Sequence, residues 1–162
     1  MIYVLDASAV IDLLVRSDHG ERVRRRLARD AEATLVTVAH LDAEVFSGLA
    51  WLHRAGVLAA GEVDELLRRL ARLDVRRIPT TGALLSAAWL MRDNITARDA
   101  LYVAAARDLG CELLTTDQRL ARAVPDLATE LNWYVATQPP TAADLPQGTA
   151  QYGRCCYGPP AD

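Results

Sequence analysis

The chain predicts an α/β fold around a mainly parallel sheet. Two observations carry that prediction. Short, apolar, β-rich runs alternate with longer segments whose apolar residues recur every three to four positions. Two of those runs end on an aspartate: Ile2-Tyr3-Val4-Leu5 runs into Asp6, and Leu113-Leu114-Thr115-Thr116 into Asp117. In open parallel sheets, ligand sites gather beyond the carboxyl ends of the strands, so acids there can serve chemistry as well as structure.

Each element follows from its local pattern. Residues 2–5 read as a buried strand. Residues 7–15 follow as a helix with Val10, Leu13 and Leu14 on one face, and residues 20–29 as an arginine-rich helix anchored by Val23 and Leu27. Residues 34–38 form a second strand. Residues 41–54 carry an apolar stripe of Leu41, Val45, Leu49 and Leu52, and stop near Gly56. Residues 60–73 are amphipathic through Val63, Leu66, Leu67 and Leu70. A short strand at 75–78 is ended by Pro79. Helices at 82–92 and 97–109 follow, the second closed by Gly110. A strand at 112–116, a short helix at 118–124 and a last strand at 132–135 complete the pattern.

The composition changes after about residue 136. Residues 137–162 hold Pro139, Pro140, Pro146, Pro159 and Pro160 with little apolar periodicity. The chain therefore divides into a domain at 1–136 and a Pro/Gly-rich tail at 137–162, expected to be mobile or laid on the surface and pinned in part by Tyr152 and Tyr157. Adjacent Cys155 and Cys156, without a second pair, do not make a zinc motif.

With 162 residues, 51% hydrophobic and 24% charged, the chain has the make-up of an ordinary globular domain with a real core. No apolar stretch approaches membrane-spanning length, and with a strand read from residue 2 no signal sequence is expected. Three cysteines are too few and too odd for a disulfide scaffold, so a reducing cytoplasm is expected. The net charge of −3 advertises no global attraction to nucleic acid; setting four inward-facing acids aside leaves +1. All 18 basic residues are arginine, which GC-rich coding alone explains. Two clusters, Arg22, Arg24, Arg25, Arg26 and Arg29, and Arg68, Arg69, Arg72, Arg76 and Arg77, are either solvated helix faces or phosphate contacts.

Four acids stand out of place: Asp6, Glu44, Asp99 and Asp117. A carboxylate facing a core is costly unless paired, hydrogen-bonded or bound to metal. Each has an ordinary reading. Asp6 and Asp117 suit helix caps. Asp99 suits the first turn of a helix capped by Thr96. Glu44 shares a face with Leu41, Val45 and Gly48 and suits a partly exposed position or an arginine partner, with Gly48 leaving space beside it. Asp42 falls on another face and is expected to be solvated. Together the four suit a hard divalent cation: Mg²⁺ takes oxygen ligands and keeps several waters. Ser8, Thr115 and Thr116 are placed to orient carboxylates or bound water. Asp93 belongs either to a helix end or to the same site. His19, His40 and His53 have no metal-ligand spacing.

These segments resemble the PIN-domain ribonucleases, and within them the VapC toxins of type II toxin–antitoxin pairs. The likeness lies in Val4-Leu5-Asp6-Ala7-Ser8-Ala9-Val10, in Glu44 in its helix, in Thr96-Ala97-Arg98-Asp99-Ala100-Leu101-Tyr102-Val103-Ala104, and in Leu114-Thr115-Thr116-Asp117. It runs over roughly residues 1–135. It implies a three-layer α/β/α fold and a Mg²⁺- or Mn²⁺-dependent endoribonuclease. It also implies a homodimer, and a cognate VapB-like antitoxin that blocks the acidic pocket, often with an arginine. Transfer RNA is the substrate it suggests. Asp6, Asp99 and Asp117 are then expected to hold the metal directly or through water, and Glu44 to complete the pocket. The antitoxin is expected in a groove between the helices at 41–54 and 60–73, whose apolar residues exceed what one thin domain needs.

Other readings fit less well. Haloacid-dehalogenase phosphatases need a second aspartate where Ser8 stands, and response-regulator receivers need a lysine that this chain lacks. A non-catalytic PIN-like module that binds RNA or a partner, or a housekeeping RNA-processing nuclease without an antitoxin, are the alternatives. Metal dependence separates the first from a toxin, and the neighbouring reading frame separates the second.

Overall fold

The computed structural model describes residues 1–128. The expected strand at 132–135, the tail and its cysteines lie outside the described residues. Among these, strands and helices alternate as β1 (Ile2–Leu5), α1 (Ala7–Val15), α2 (Asp18–Ala28), β2 (Thr34–Val38), α3 (Leu41–Arg54), α4 (Ala60–Ala71), β3 (Arg76–Ile78), α5 (Gly82–Trp89), α6 (Ala97–Asp108), β4 (Glu112–Leu114) and α7 (Gln118–Ala123). The strands are all parallel, in the order β3-β2-β1-β4. Helix α1 packs on α2, α3 and α4, while α5 packs on α6, which lies against β1, β2 and β4. The arrangement is a three-layer α/β/α sandwich.

β1 is central, with Tyr3 opposite Leu35 on one side and Glu112 on the other. Tyr3, Val4 and Leu5 are wholly buried, as expected for a parallel strand covered on both faces. The chain leaves this strand directly into Asp6. Because every strand runs the same way, the carboxyl ends of β1, β2 and β4 share one edge of the sheet, and that edge receives the acids.

Several boundaries differ from the sequence pattern by one to three residues, and three of them have a clear local reason. Helix α2 starts at Asp18 because the Ser17 hydroxyl caps it, accepting from Gly20 N–H. Strand β4 stops at Leu114 because Thr116 N–H donates to Ser8 Oγ at 3.0 Å instead of continuing the ladder. Helix α5 ends at Trp89, where Met91 and Arg92 N–H turn back to the carbonyls of Ala88 and Trp89.

The apolar stripes of α3 and α4 serve largely the inside of the domain. Leu41, Val45, Leu49, Leu52, Leu66 and Leu70 are all buried in one core. Most of the apolar residues expected to line an antitoxin groove between these helices therefore serve the core, while Val63 and Leu67 stay half-buried beside it. Of the large apolar residues near them, Phe46 and Val57 remain exposed; the others of note, Leu85, Trp89 and Leu90, sit on and just after α5.

Much of the arginine is structural too. Arg26 pairs with Glu112 at 2.6 Å and lies over the Tyr3 ring, tying α2 to the foot of the sheet. Arg69 donates to the Leu14 carbonyl, and Arg24 and Arg25 pair with Glu21. Arg77 grips Asp42 with two bonds of 3.1 and 2.9 Å, so Asp42 is not simply solvated as expected but a forked partner holding β3 to α3. Arg22, Arg29, Arg72 and Arg76 are exposed.

Gly20 sets how closely α2 lies on α1. A β-carbon there would fall 2.1 Å from the Asp12 carbonyl oxygen, and backbone cannot swing aside as a side chain can. Gly20→Ala is therefore expected to cost about 3 kcal/mol, roughly a 10 °C lower melting temperature by calorimetry. An unchanged melting temperature would show that α2 shifts freely.

Candidate active site

The four acids occupy four helix N-termini. Asp6 is the N-cap of α1 and Asp117 of α7; Glu44 and Asp99 lie in the first turns of α3 and α6. The dipole and open N–H groups of a helix start favour negative charge, so each element stabilises its own acid before any ligand arrives. Capping, the ordinary reading of Asp6 and Asp117, is thus real and compatible with a site.

Asp6 is the most constrained. It is 4% exposed. Its Oδ1 accepts from Ala9 N–H at 2.9 Å and from the Ser8 hydroxyl at 2.8 Å; its Oδ2 accepts from the Thr115 hydroxyl at 2.6 Å. Burial pushes its carboxyl up to about 7 against the pull of those three bonds, and the charge of Asp99 adds to the rise. A carboxylate has about four lone-pair positions. Three are filled, and the one left is on Oδ2.

Glu44 is held differently. Its side chain is 11% exposed. Oε2 accepts from the Tyr102 hydroxyl at 2.6 Å and lies 3.3 Å from His40 Nε2; Oε1 lies 3.4 Å from Arg98 Nε. The Tyr102 bond is the firmer contact, since neither of the buried ring nitrogens of His40 makes a well-formed hydrogen bond. Burial alone would raise Glu44, but His40, Tyr102 and Arg98 together hold its carboxyl below the usual range. Burial, followed by Glu44, Asp6 and Asp99, drives the Tyr102 phenol far above its ordinary value, so it stays a donor. Gly48 does not open space beside Glu44 as expected. Its missing side chain admits Ile11, whose Cδ1 would lie 2.5 Å from a β-carbon there, and so seats α3 on α1.

Asp99 exchanges bonds with its cap: the Thr96 hydroxyl donates to Oδ2 at 2.7 Å while Asp99 N–H donates to Thr96 Oγ1. Asp117 caps α7 through Arg119 and Leu120 N–H, with Arg119 also 3.4 Å from Oδ2. It is tethered to Asp6 through Ser8, whose Oγ donates to Asp6 and accepts from the N–H groups of Thr116 and Asp117. Thr115 bridges the same pair, donating to Asp6 and accepting from Asp117 N–H. The structure thus links Asp6 to Asp117 by hydrogen bonds, and brings Asp6, Asp99 and Glu44 close enough for their charges to act on Tyr102.

Sequence reading missed four participants. Tyr102 looked like core, and its hydroxyl is what pins Glu44. His40 gave one available signal, its i, i+4 spacing to Glu44 on a helix start. Arg98, beside Asp99, reaches Glu44. Asp12, which the sequence pattern did not single out, is buried on α1 and accepts from Thr116 and Ser17. Asp93 is exposed and pairs with Arg92.

The donors around Asp6 are hard oxygens, suited to Mg²⁺ or Mn²⁺. Among the described residues, no three His, Cys, Asp or Glu side chains stand close enough to ligate one ion together. Mg²⁺ needs no such cage: one or two carboxylates and its own water suffice. The free Oδ2 position and the raised Asp6 carboxyl, which a cation would restore to its charged form, fit that mode.

The PIN domain family model matches residues 3–124. The chain belongs to the PIN-domain family. Ribonuclease VapC3 of Mycobacterium tuberculosis is 49% identical to it over 123 residues, covering 75% of this chain and 87% of that protein. Ribonuclease VapC9 of the same organism is 38% identical over 119 residues, 73% and 87% of the two chains. These place this PIN domain in the VapC group. The crystal structure of M. tuberculosis VapC20, described as a toxin cleaving the sarcin–ricin loop, superposes with a TM-score of 0.56 at 20% identity, covering 76% of this chain and 95% of that one. At that identity it speaks for the fold alone. Among the described residues no helix of this PIN domain is long and apolar enough to cross a membrane.

The raised Asp6 carboxyl has a measurable consequence in the metal-free protein. Unfolded, Asp6 ionises at its ordinary 3.8; folded, at about 7. Between those values the folded state holds the extra proton, so stability falls as pH rises, and the cost is complete above about 7. It amounts to about 4 kcal/mol. Asp6→Asn is expected to melt higher than the parent at pH 7.5 in EDTA, with the gap closing towards pH 4.5. Parallel pH profiles for the two proteins would contradict the burial cost.

Proposed function

We propose that the protein is a Mg²⁺- or Mn²⁺-dependent endoribonuclease acting as the toxin of a type II toxin–antitoxin pair. The observation that carries this reading is Asp6: a desolvated carboxylate at the end of the central strand, one acceptor position open, with Asp99 near it and Asp117 tethered through Ser8. The ribonuclease names of the VapC relatives support the same reaction class.

Asp6, Asp99 and Asp117 would hold the cation, directly or through its waters. When bound, the ion supplies positive charge against the phosphate and lowers the pKa of coordinated water. Glu44 is ionised at neutral pH and fixed by Tyr102, so its remaining lone pairs are available to orient the attacking water and accept its proton. Tyr102 stays protonated and donates throughout. Ser8 and Thr115 hold Asp6 and Asp117 in register. Water oxygen bonds to phosphorus as the P–O3′ bond breaks, the water's proton passes to Glu44, and the 3′ oxygen takes a proton from solvent water. The products carry 5′-phosphate and 3′-hydroxyl ends.

RNA is the substrate, with transfer RNA the class that the family resemblance suggests. A VapB-like antitoxin and a second copy of this chain are the proposed protein partners. The exposed Leu85, Trp89 and Leu90 around α5 support pairing with another surface.

Purified protein and total cellular RNA test the reading. Discrete cuts are expected with Mg²⁺, none with EDTA, and a loss of at least about a hundredfold in Asp6→Ala and in Asp99→Ala. Tyr102→Phe is expected to lose about tenfold, through a less ordered Glu44. Undiminished cutting by folded Asp6→Ala, or in EDTA, would overturn it.

A further inference from the structure

We infer that Asp12 is a positioning residue for the acidic site, latching the loop that carries Asp117 onto α1 through Thr116. This deepens the nuclease reading and rests on it. Asp12 is 8% exposed, which for a carboxylate demands partners. It has two. Oδ2 accepts from the Thr116 hydroxyl at 2.6 Å, across 104 residues of sequence, and Oδ1 accepts from the Ser17 hydroxyl at 2.5 Å. Neither bond is part of regular secondary structure.

The direction of control follows from which end is rigid. Asp12 sits in the last turn of α1, and its carbonyl accepts from Arg16 and Ser17 N–H. Gly20 of α2 is pressed against that same carbonyl. Ser17, the other hydroxyl on Asp12, is itself fixed as the cap of α2. The carboxylate is thus set by two helices and the turn between them. Thr116, in contrast, lies in the three-residue link between β4 and the short helix α7. Ser8 holds the backbone of that link from one side through the N–H groups of Thr116 and Asp117. Asp12 holds its side chain. Two anchors on α1, one turn apart, leave the backbone of Asp117 little freedom to rotate. Losing one would let the Asp117 carboxylate drift relative to Asp6, and a metal or water shared between them would feel the change in spacing.

The test uses the full chain with Thr116→Val, Thr116→Ser, Asp12→Asn and the double variant Asp12→Asn with Thr116→Val. Mn²⁺ affinity is measured by calorimetry without RNA, and Mg²⁺-dependent RNA cleavage in parallel, with folding followed by thermal melting. Thr116→Val and Asp12→Asn are expected to weaken Mn²⁺ binding by about tenfold to a hundredfold and to raise the Mg²⁺ needed for half-maximal cleavage. KM for RNA at saturating metal should hold. Thr116→Ser keeps the hydroxyl and should behave as the parent. The double variant should lose no more than the worse single one, as expected for two ends of one interaction.

Unchanged Mn²⁺ affinity in the folded single variants overturns the latch. So does a loss that Thr116→Ser shares, or losses that add in the double variant. If Thr116→Val fails to fold, Asp12→Asn decides in the same assays. A parent protein that binds Mn²⁺ but cuts no RNA sinks the nuclease reading while the latch is still read from binding; a parent that binds no Mn²⁺ sinks both.

Discussion

Asp6 leaves a strand that is covered on both faces and loses its water there. Burial works to neutralise it; three hydrogen bonds, from Ala9, Ser8 and Thr115, work to keep it charged, and burial wins. Much of the surrounding structure is arranged around that conflict. Ser8 is two residues on, in the first turn of the helix Asp6 caps. Thr115 comes from just past the end of the neighbouring strand. Both hydroxyls also receive the backbone of Asp117, so the groups that stabilise one acid place the next. A buried carboxylate left short of one partner is destabilising by itself, and a cation would offset that cost.

Parallel pairing makes the arrangement possible. With β1 between β2 and β4, the helices that follow these strands start on one edge, and each start tolerates an acid. Helix α6 brings Asp99 from the other layer, held to its own cap by Thr96. Glu44 stands somewhat apart in chemistry. Its partners keep it charged and still, which suits a group that handles water better than one that must bind metal closely. The two kinds of acid, one raised and one lowered, are what a hydrolytic site needs if one is to gain charge from a cation and the other is to accept a proton.

The α/β fold with its mainly parallel sheet was legible because its signals are local: short apolar runs, periodic stripes, and Ser, Thr and Asp at helix starts; its three layers were what the family resemblance implied. The acids were legible because they interrupt those signals. Asp6 and Asp117 break apolar runs, and Glu44 and Asp99 sit on stripes. What was hidden depends on partners far away in sequence. Tyr102 and Glu44 are 58 residues apart, and Thr116 and Asp12 are 104 apart. Nothing near Asp12 distinguishes it from a solvated helix acid. Gly48 read as a gap because its neighbour Ile11 lies on another helix, and the apolar stripe of α4 read as spare because the core that takes up Leu66 and Leu70 comes from α3 and α1. Arginine was over-read as a surface feature for the same reason: Arg26 and Arg77 look like members of charge runs and serve as half-buried clamps.

The central claim is that these acids form one cation site set by Asp6, and its most direct test is where a metal sits. Crystals of the protein soaked in Mn²⁺ would be measured for anomalous scattering. A peak within coordination or single-water reach of Asp6 Oδ2, shared with Asp99 or Asp117 and absent in Asp6→Asn, is the predicted result. Ordered density for all four acids with no peak among them at millimolar Mn²⁺, or a peak that survives Asp6→Asn unmoved, would contradict it.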